Sequence, residues 1–402
     1  MIPRPSPSRL RGHGAPTVAT VLSLALLAGA CGGSDDAGPA STPAQEGTDT
    51  TGADPVDTSA DADPTTNDTS AADPDPEAAD SITLVAYESF PTEGTPINDQ
   101  LAAFTDETGI GVDVLIAGDT GTMLSKAELT AGNPEGDVMW GIDNTFLSRA
   151  VSSGVFEPYV ADGLDAIPSR FTDLVPEGEA TPVDFGDVCV NYDIAALDEL
   201  GVEPPTTLDD LAEPAYRDLL VVQNPASSSP GLAFLLATID EYGVDGWQDY
   251  WTRLVDNGVE VADGWTQAYY ERFSYAGGNR PLVVSYGSSP PFEVLFAETE
   301  LDSSPTGVVE STCFRQIEFA GILAGTDHPD EARRLVDFLI GDDFQAELPL
   351  NVFVFPANES VELDPTFVEY AVIPDESRTV DPAVVEENRS EWIDEWTDLV
   401  VG

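Results

Sequence analysis

The sequence predicts an α/β protein of two lobes, each built on a mainly parallel sheet. Short runs rich in β-branched residues alternate with helical stretches along most of the chain. Polar, glycine-containing turns repeatedly follow the strand-like runs and open the helical ones. The region after residue 80 is about 320 residues long, enough for a substantial core and most naturally for two lobes.

The amino terminus stands apart. Arg4, Arg9 and Arg11 form a basic segment, and Thr17–Ala28 is an apolar run too short to span a bilayer comfortably. It ends in Ala28-Gly29-Ala30, directly before Cys31, so residues 1–30 are expected to be a secretory signal peptide. A cysteine at the cleavage point resembles a bacterial lipobox, although Leu27 stands four residues before Cys31 rather than three. A lipid anchor on Cys31 is expected, with a plain exported protein cut nearby as the alternative. Residues 31–80 are almost entirely Asp, Thr, Ala, Pro, Ser and Gly, without lysine, arginine or aromatic residues. Such a segment cannot bury enough apolar surface to offset its ordering entropy, and it is expected to be a disordered acidic tether.

The formal net charge is −59. This disfavours nucleic acid and anionic membrane surfaces as partners. It favours a cationic ligand weakly, because solvation in a saline setting explains it at least as well. Besides Cys31 the chain has Cys189 and Cys313. In an exported chain they are expected to form a disulfide, with two separate buried thiols as the alternative. His13 lies in the signal and His328 stands alone beside Pro329. A zinc site of His and Cys, and a His-dependent triad, are therefore excluded.

The folded region opens with a strand, Ser81–Tyr87, that stops at Glu88-Ser89-Phe90-Pro91. Ile97–Thr108 is helical, with Leu101, Phe104 and Thr105 on one face. A second strand, Gly111–Ile116, runs into the turn Ala117–Thr122 and then a helix over Met123–Ala131. That turn presents backbone N–H groups suited to an anion, a weak sign that many α/β turns share. Asp137–Gly141 is a third strand, and Asp143-Asn144 caps a helix over Thr145–Ser153. Thr181–Tyr192 is longer and extended, as expected of a strand that leaves one lobe for the next. The lobes are placed at residues 81–186 plus 309–402 and at residues 187–308.

Thr207–Leu211 is a short capped helix, and Leu219–Val222 is a strand. The turn after it, Ser227-Ser228-Ser229-Pro230-Gly231, precedes a helix over Leu232–Tyr242. Hydroxyls and free N–H groups at a helix start make an anion site; plain N-capping accounts for the same residues. Trp247–Asn257 is a helix with Trp251 and Leu254 facing inward. Trp265 follows Gly264 and precedes a short helical pattern, which places it on a loop. Leu282–Tyr286 is a buried strand ending in Gly287-Ser288-Ser289-Pro290, and a helix over Pro291–Glu298 follows. Ligands of open α/β sheets bind at the carboxyl ends of strands. Trp265 and Tyr286 there suit a planar, cationic ligand, with core packing as the alternative. Thr312–Ile322 is a return strand, and Pro329–Ile340 an amphipathic helix that continues after a break to Leu348. Asn351–Pro356 is extended, and Pro382–Val400 is a last helix whose Trp392 and Trp396 pack inward.

These segments resemble the type II periplasmic-type solute-binding proteins of ABC importers, and within them the thiamine-binding branch. The resemblance is carried by Val85-Ala86-Tyr87-Glu88-Ser89-Phe90, Asp137 to Asn144, and Pro182-Val183-Asp184-Phe185-Gly186. It continues through Ser228-Ser229-Pro230-Gly231-Leu232, Gly264 to Tyr269, and Ser285 to Pro290. It implies the periplasmic-binding-protein type II fold, with two hinge-connected α/β lobes and the ligand in the cleft between them. It implies that Trp265 and Tyr286 stack on the thiamine rings and that Tyr87 lies in the first-lobe wall. Asp119 and Thr120, with Ser228 and Ser229, match positions that contact polar ligand atoms, the serines facing the phosphate or hydroxyethyl end. Gly287, Ser288 and Ser289 match the loop beside Tyr286. Phe292 stands where the family often has tyrosine, and Phe353 where it often has tryptophan; each keeps a ring and loses a polar handle.

The resemblance further implies an extracytoplasmic, monomeric lipoprotein that captures thiamine or a thiamine phosphate, holds no cofactor and catalyses nothing. Its partners would be an ABC permease and its ATPase, with membrane contact through Cys31 and none with nucleic acid. No Walker A pattern occurs in this chain. Two alternatives remain at this stage. A ferric ion-binding protein of the same superfamily would use the pair Tyr269-Tyr270. A thiamine- or pyrimidine-processing enzyme would need Cys189 or Cys313 as its nucleophile.

Overall fold

Ile82, Leu84, Val85 and Ala86 are buried in the first strand, β1 (Ser81–Ala86). The computed structural model describes residues 81–297 and 299–402. The signal segment, Cys31 and the tether lie outside the described residues, as does Glu298, the expected end of the helix over Pro291–Glu298. No helix among the described residues is long and apolar enough to cross a membrane. β1 pairs in parallel with β2 (Gly111–Ile116) and β3 (Val138–Asp143). After the two-residue strand β4 (Phe156–Glu157) comes β5 (Thr181–Asp193), followed by β6 (Leu220–Gln223), β7 (Glu260–Ala262) and β8 (Leu282–Tyr286). The long β9 (Thr306–Leu323) and the short β10 (Phe355–Pro356) complete the set. The hydrogen-bonded order is β2-β1-β3-β9-β5-β8-β6-β7, with β4 on β9 and β10 on β5.

The sheet is mixed rather than mainly parallel. Parallel pairing is confined to β2-β1-β3 at one end and β8-β6-β7 at the other. Between them β5 and β9 run antiparallel to each other and to β8 and β3 respectively. Strand–helix alternation in the sequence reveals the two parallel ends. It carries no information on the direction of the two strands that join them. β9 also begins at Thr306, upstream of the expected Thr312, because its register jumps: Val188 faces Phe314, and Val190 faces Val309. Residues 310–313 lie between these partners, and Thr312 Oγ1 satisfies the Val190 N–H at 2.9 Å there. A disulfide joins Cys189 to Cys313 at the same place, with Cα atoms 4.2 Å apart and a sequence separation of 124. Beside it the buried Asp187 accepts from Arg315 Nε and Nη2 at 2.8 and 3.1 Å, and also from Ser377 Oγ. A bidentate guanidinium contact of this kind fixes orientation as well as charge.

Helices cover both ends. α1 (Pro96–Thr108) buries Ile97, Leu101 and Phe104. α2 (Thr120–Leu129) starts before the expected Met123, because the Asp119 side chain caps the Thr120 N–H. α3 (Ser229–Tyr242) also starts ahead of Leu232, with Ser228 at its N-cap position and Pro230, whose φ suits a helix start, in its first turn. α4 (Trp247–Asp256) and α5 (Pro382–Val400) meet through Trp251 and Trp396, whose rings cross at 86° with centroids 5.3 Å apart. The helix expected over Pro291–Glu298 runs from Pro290 to Leu295. The expected extended piece Asn351–Pro356 is a short helix, Leu348–Asn351, and then β10. Phe353 breaks the path between them with φ of 56°, a conformation costly for a side chain of this size. Trp265 opens a helical turn, Trp265–Gln267, rather than sitting on a loop.

Candidate functional site

The ends of several elements converge on one concave cavity, the usual shape of a small-molecule site. β1 delivers Tyr87, the start of α2 delivers Asp119 and Thr120, and the start of α3 delivers Ser229. From the far end of the sheet come Trp265, Tyr286 and Ser289. The structure therefore brings seven of the ten expected ligand contacts to one lining. Ser228, Gly287 and Ser288 support that wall from behind. The Gly287 N–H donates to the Asp187 carbonyl at 2.8 Å, its own carbonyl accepts from Val372 at 2.8 Å, and Ser288 Oγ donates to the Phe353 carbonyl.

One wall is aromatic. Trp265 stacks on Tyr269 at 4.9 Å and 15°, and its Nε1 donates to Ser285 Oγ at 2.9 Å. Tyr270, Phe292 and Phe353 continue the wall, the two phenylalanine rings meeting edge to face at 4.8 Å. Tyr87 lies opposite, edge-on to Phe90 and Trp140. It packs over Gly141, where φ is +116° and a Cβ would meet the Tyr87 ring at 2.5 Å; only glycine allows this approach. Tyr269 is already engaged, since its hydroxyl donates to Glu293 Oε1 at 2.6 Å. Burial, then the Glu293 charge, pushes the Tyr269 phenol well above its usual range, and burial raises Tyr270 as well.

A cluster of carboxyls lies at and behind the floor, Glu318 in the lining and Asp143 and Asp184 next to it. Asp143 Oδ1 accepts from the Thr145 amide and hydroxyl, both at 2.6 Å, and Asp184 Oδ2 accepts from Trp140 Nε1 at 3.0 Å. Burial pushes each of these carboxyls up to about 7, with Asp143 adding to the effect at Asp184. Glu318, on β9, also lines the cavity, and burial followed by Asp184 and Asp143 raises it well above the carboxylate range.

The two ends of the sheet touch across the cavity. Asp119 Oδ2 accepts from the Trp265 N–H at 3.3 Å, and the Gly121 N–H donates to the Ser227 carbonyl at 2.8 Å. Burial raises the Asp119 carboxyl, opposed by its contacts with Ser228, Thr120 and Trp265.

A family model described as bacterial extracellular solute-binding protein matches residues 136–376. The chain belongs to this family. Among its relatives, this solute-binding protein is 28% identical over 325 residues to the thiamine-binding periplasmic protein of Brucella suis biovar 1, covering 80% of this chain and 93% of the relative. It is 27% identical to that of Escherichia coli K12, covering 79% and 93%. A solved periplasmic thiamin binding protein shares its fold with a TM-score of 0.70 at 26% identity, covering 80% of this chain and 96% of the other. The architecture is the two-lobed periplasmic-binding-protein type II fold, as the sequence resemblance implies.

Sequence reasoning did not find the acidic floor of this solute-binding protein. Its signal was present: Asp184 stands between Val183 and Phe185, and Glu318 between Ile317 and Phe319. A carboxylate in the middle of an apolar strand is expensive unless something compensates it. Phe292 and Phe353, noted only as departures from the family pattern, both line the cavity.

Proposed function

We propose that this protein captures thiamine or a thiamine phosphate outside the cytoplasm by cleft closure and hands it to an ABC permease. The observation that carries the proposal is the pairing of an aromatic wall, centred on Trp265, with a carboxyl-bearing floor. A flat heteroaromatic cation suits both surfaces. Asp119 and Glu318 line the cavity, and among the described lining residues there is no lysine or arginine, which favours thiamine itself over its pyrophosphate.

The hinge follows from placing the lobes at residues 81–186 plus 309–402 and at residues 187–308. β5 and β9 then cross between them, and α2 meets Ser227 and Trp265 from the opposite lobe. Closure would be driven by contacts that the ligand makes only with both lobes together. A signal peptide over residues 1–30, a lipid anchor on Cys31 and an acidic tether over residues 31–80 would hold a monomer at the outer face of the membrane, within reach of the permease.

The ferric alternative is disfavoured by the tyrosines it needs. Tyr269 is already engaged, donating to Glu293 Oε1 at 2.6 Å and stacking on Trp265 at 4.9 Å, so its oxygen is not presented to the cavity as a free ligand. A thiol nucleophile is disfavoured because Cys189 and Cys313 are bonded to each other. Cells deprived of this chain are expected to lose high-affinity uptake of radiolabelled thiamine and to regain it with the wild-type gene. Undiminished uptake in the deletion strain would refute the importer role.

A further inference from the structure

Glu318 is a carboxyl that the protein itself leaves half used. Its Oε1 accepts from Gln316 Nε2 at 2.8 Å, and the same amide lies 3.2 Å from the Tyr286 hydroxyl. Its Oε2 is buried and has no hydrogen-bond partner among the described residues, although the residue lines the cavity and is only 7% exposed. Buried polar atoms are normally satisfied, and a charged orphan is the costliest exception.

The groups facing it come from every surrounding element, and all are acidic, phenolic or neutral. They are Tyr87 from β1, Asp119 from the start of α2, Asp143 from β3, Asp184 from β5, Tyr286 from β8 and Gln316 on β9 itself. Arg315 on the same strand is committed to Asp187. Among the described residues lining the cavity, none supplies a positive charge to this floor.

We propose that Glu318 is a ligand-binding residue whose free Oε2 accepts a hydrogen bond from a cationic heteroaromatic ligand, the ligand's charge taking the place of a proton on this carboxyl. The inference rests on the thiamine reading above and names the polar anchor of that site. The exchange balances: Glu318 is the neutral acid in the empty cleft, the cation enters, and one proton leaves to solvent. Burial, then the neighbouring Asp184 and Asp143, raises this carboxyl well above its usual range and so favours its protonated form before the ligand arrives. Because a proton is released on binding, affinity rises with pH, by at most about tenfold per pH unit for one proton. The rise levels off once the empty-site carboxyl has ionised.

The test is calorimetric titration of the full chain with thiamine from about pH 5.5 to 8.5, in buffers of different ionisation enthalpy. The wild type is expected to release about one proton and to bind more tightly as pH rises. Glu318→Gln keeps a side chain of the same size. It is expected to bind roughly 10- to 100-fold more weakly at the upper end of that range, with a shallower pH profile and less proton release than the wild type, the remainder coming from Asp143 and Asp184. Glu318→Asp retains a carboxyl drawn back by one methylene; it is expected to keep the pH slope at reduced affinity, and it serves if the glutamine variant does not fold. A glutamine variant with wild-type affinity and slope, or a wild type whose affinity does not change with pH, overturns the role of Glu318 alone. An aspartate variant that binds as tightly as the wild type, or with a flat profile, overturns it too. A wild type that gives no heat with thiamine overturns the ligand reading and this inference with it.

Discussion

Trp265→Ala is expected to weaken thiamine binding by roughly 30- to 1,000-fold, or about 2–4 kcal/mol. The ring supplies the flat face of the cavity wall, and its rotamer is held from two sides. Tyr269 stacks on it at 4.9 Å, and Ser285 Oγ accepts from its Nε1 at 2.9 Å. Such a pre-positioned ring loses little freedom when a ligand arrives, so most of its stacking energy appears as affinity. The folding cost should be modest, because Ser285 Oγ keeps Ser289 Oγ as a partner at 2.8 Å when the indole is removed. Trp265→Phe retains a ring and loses the donor, and an intermediate affinity is expected. Titration calorimetry beside a thermal melt reads both quantities. An alanine variant that binds like the wild type would remove Trp265 from the site.

Gly121→Ala separates closure from folding. A Cβ at Gly121 would stand 2.4 Å from the Ala226 carbonyl oxygen and 3.0 Å from Ser227 Cα. These are backbone atoms across the cleft and cannot swing away. Within its own helix the change is favourable, since alanine is a better helix former than glycine by up to about 1 kcal/mol. The melting temperature should therefore hold or rise while the closed arrangement is pushed out of reach. Apparent affinity falls with the fraction of molecules able to close, and a loss of roughly tenfold or more is expected. Tight binding by a well-folded Gly121→Ala protein would show that contact between α2 and the Ser227 turn is not part of closure.

The sequence made some parts of this molecule legible and hid others for physical reasons. Helices with one apolar face, such as Pro96–Thr108 and Trp247–Asp256, declare themselves locally. Trp265 and Tyr286 stand out because aromatic residues beside Gly264 and Gly287 occur where strands end. Strand direction is not local: the antiparallel course of β5 and β9 depends on partners more than a hundred residues apart. The register jump opposite Cys189 is equally invisible, because it is set by pairing rather than by any pattern within β9. The acidic floor is intermediate. Asp184 and Glu318 are conspicuous in apolar runs, yet only the fold shows that they meet Asp143 beneath the same cavity.

The most direct measurement is isothermal titration of the purified wild-type chain with thiamine, thiamine monophosphate and thiamine pyrophosphate, with a ferric chelate as the control. The account predicts tight one-to-one binding of thiamine, weaker binding of the pyrophosphate and no heat with iron. Heat with the ferric chelate alone, or with none of the thiamine species, would contradict it.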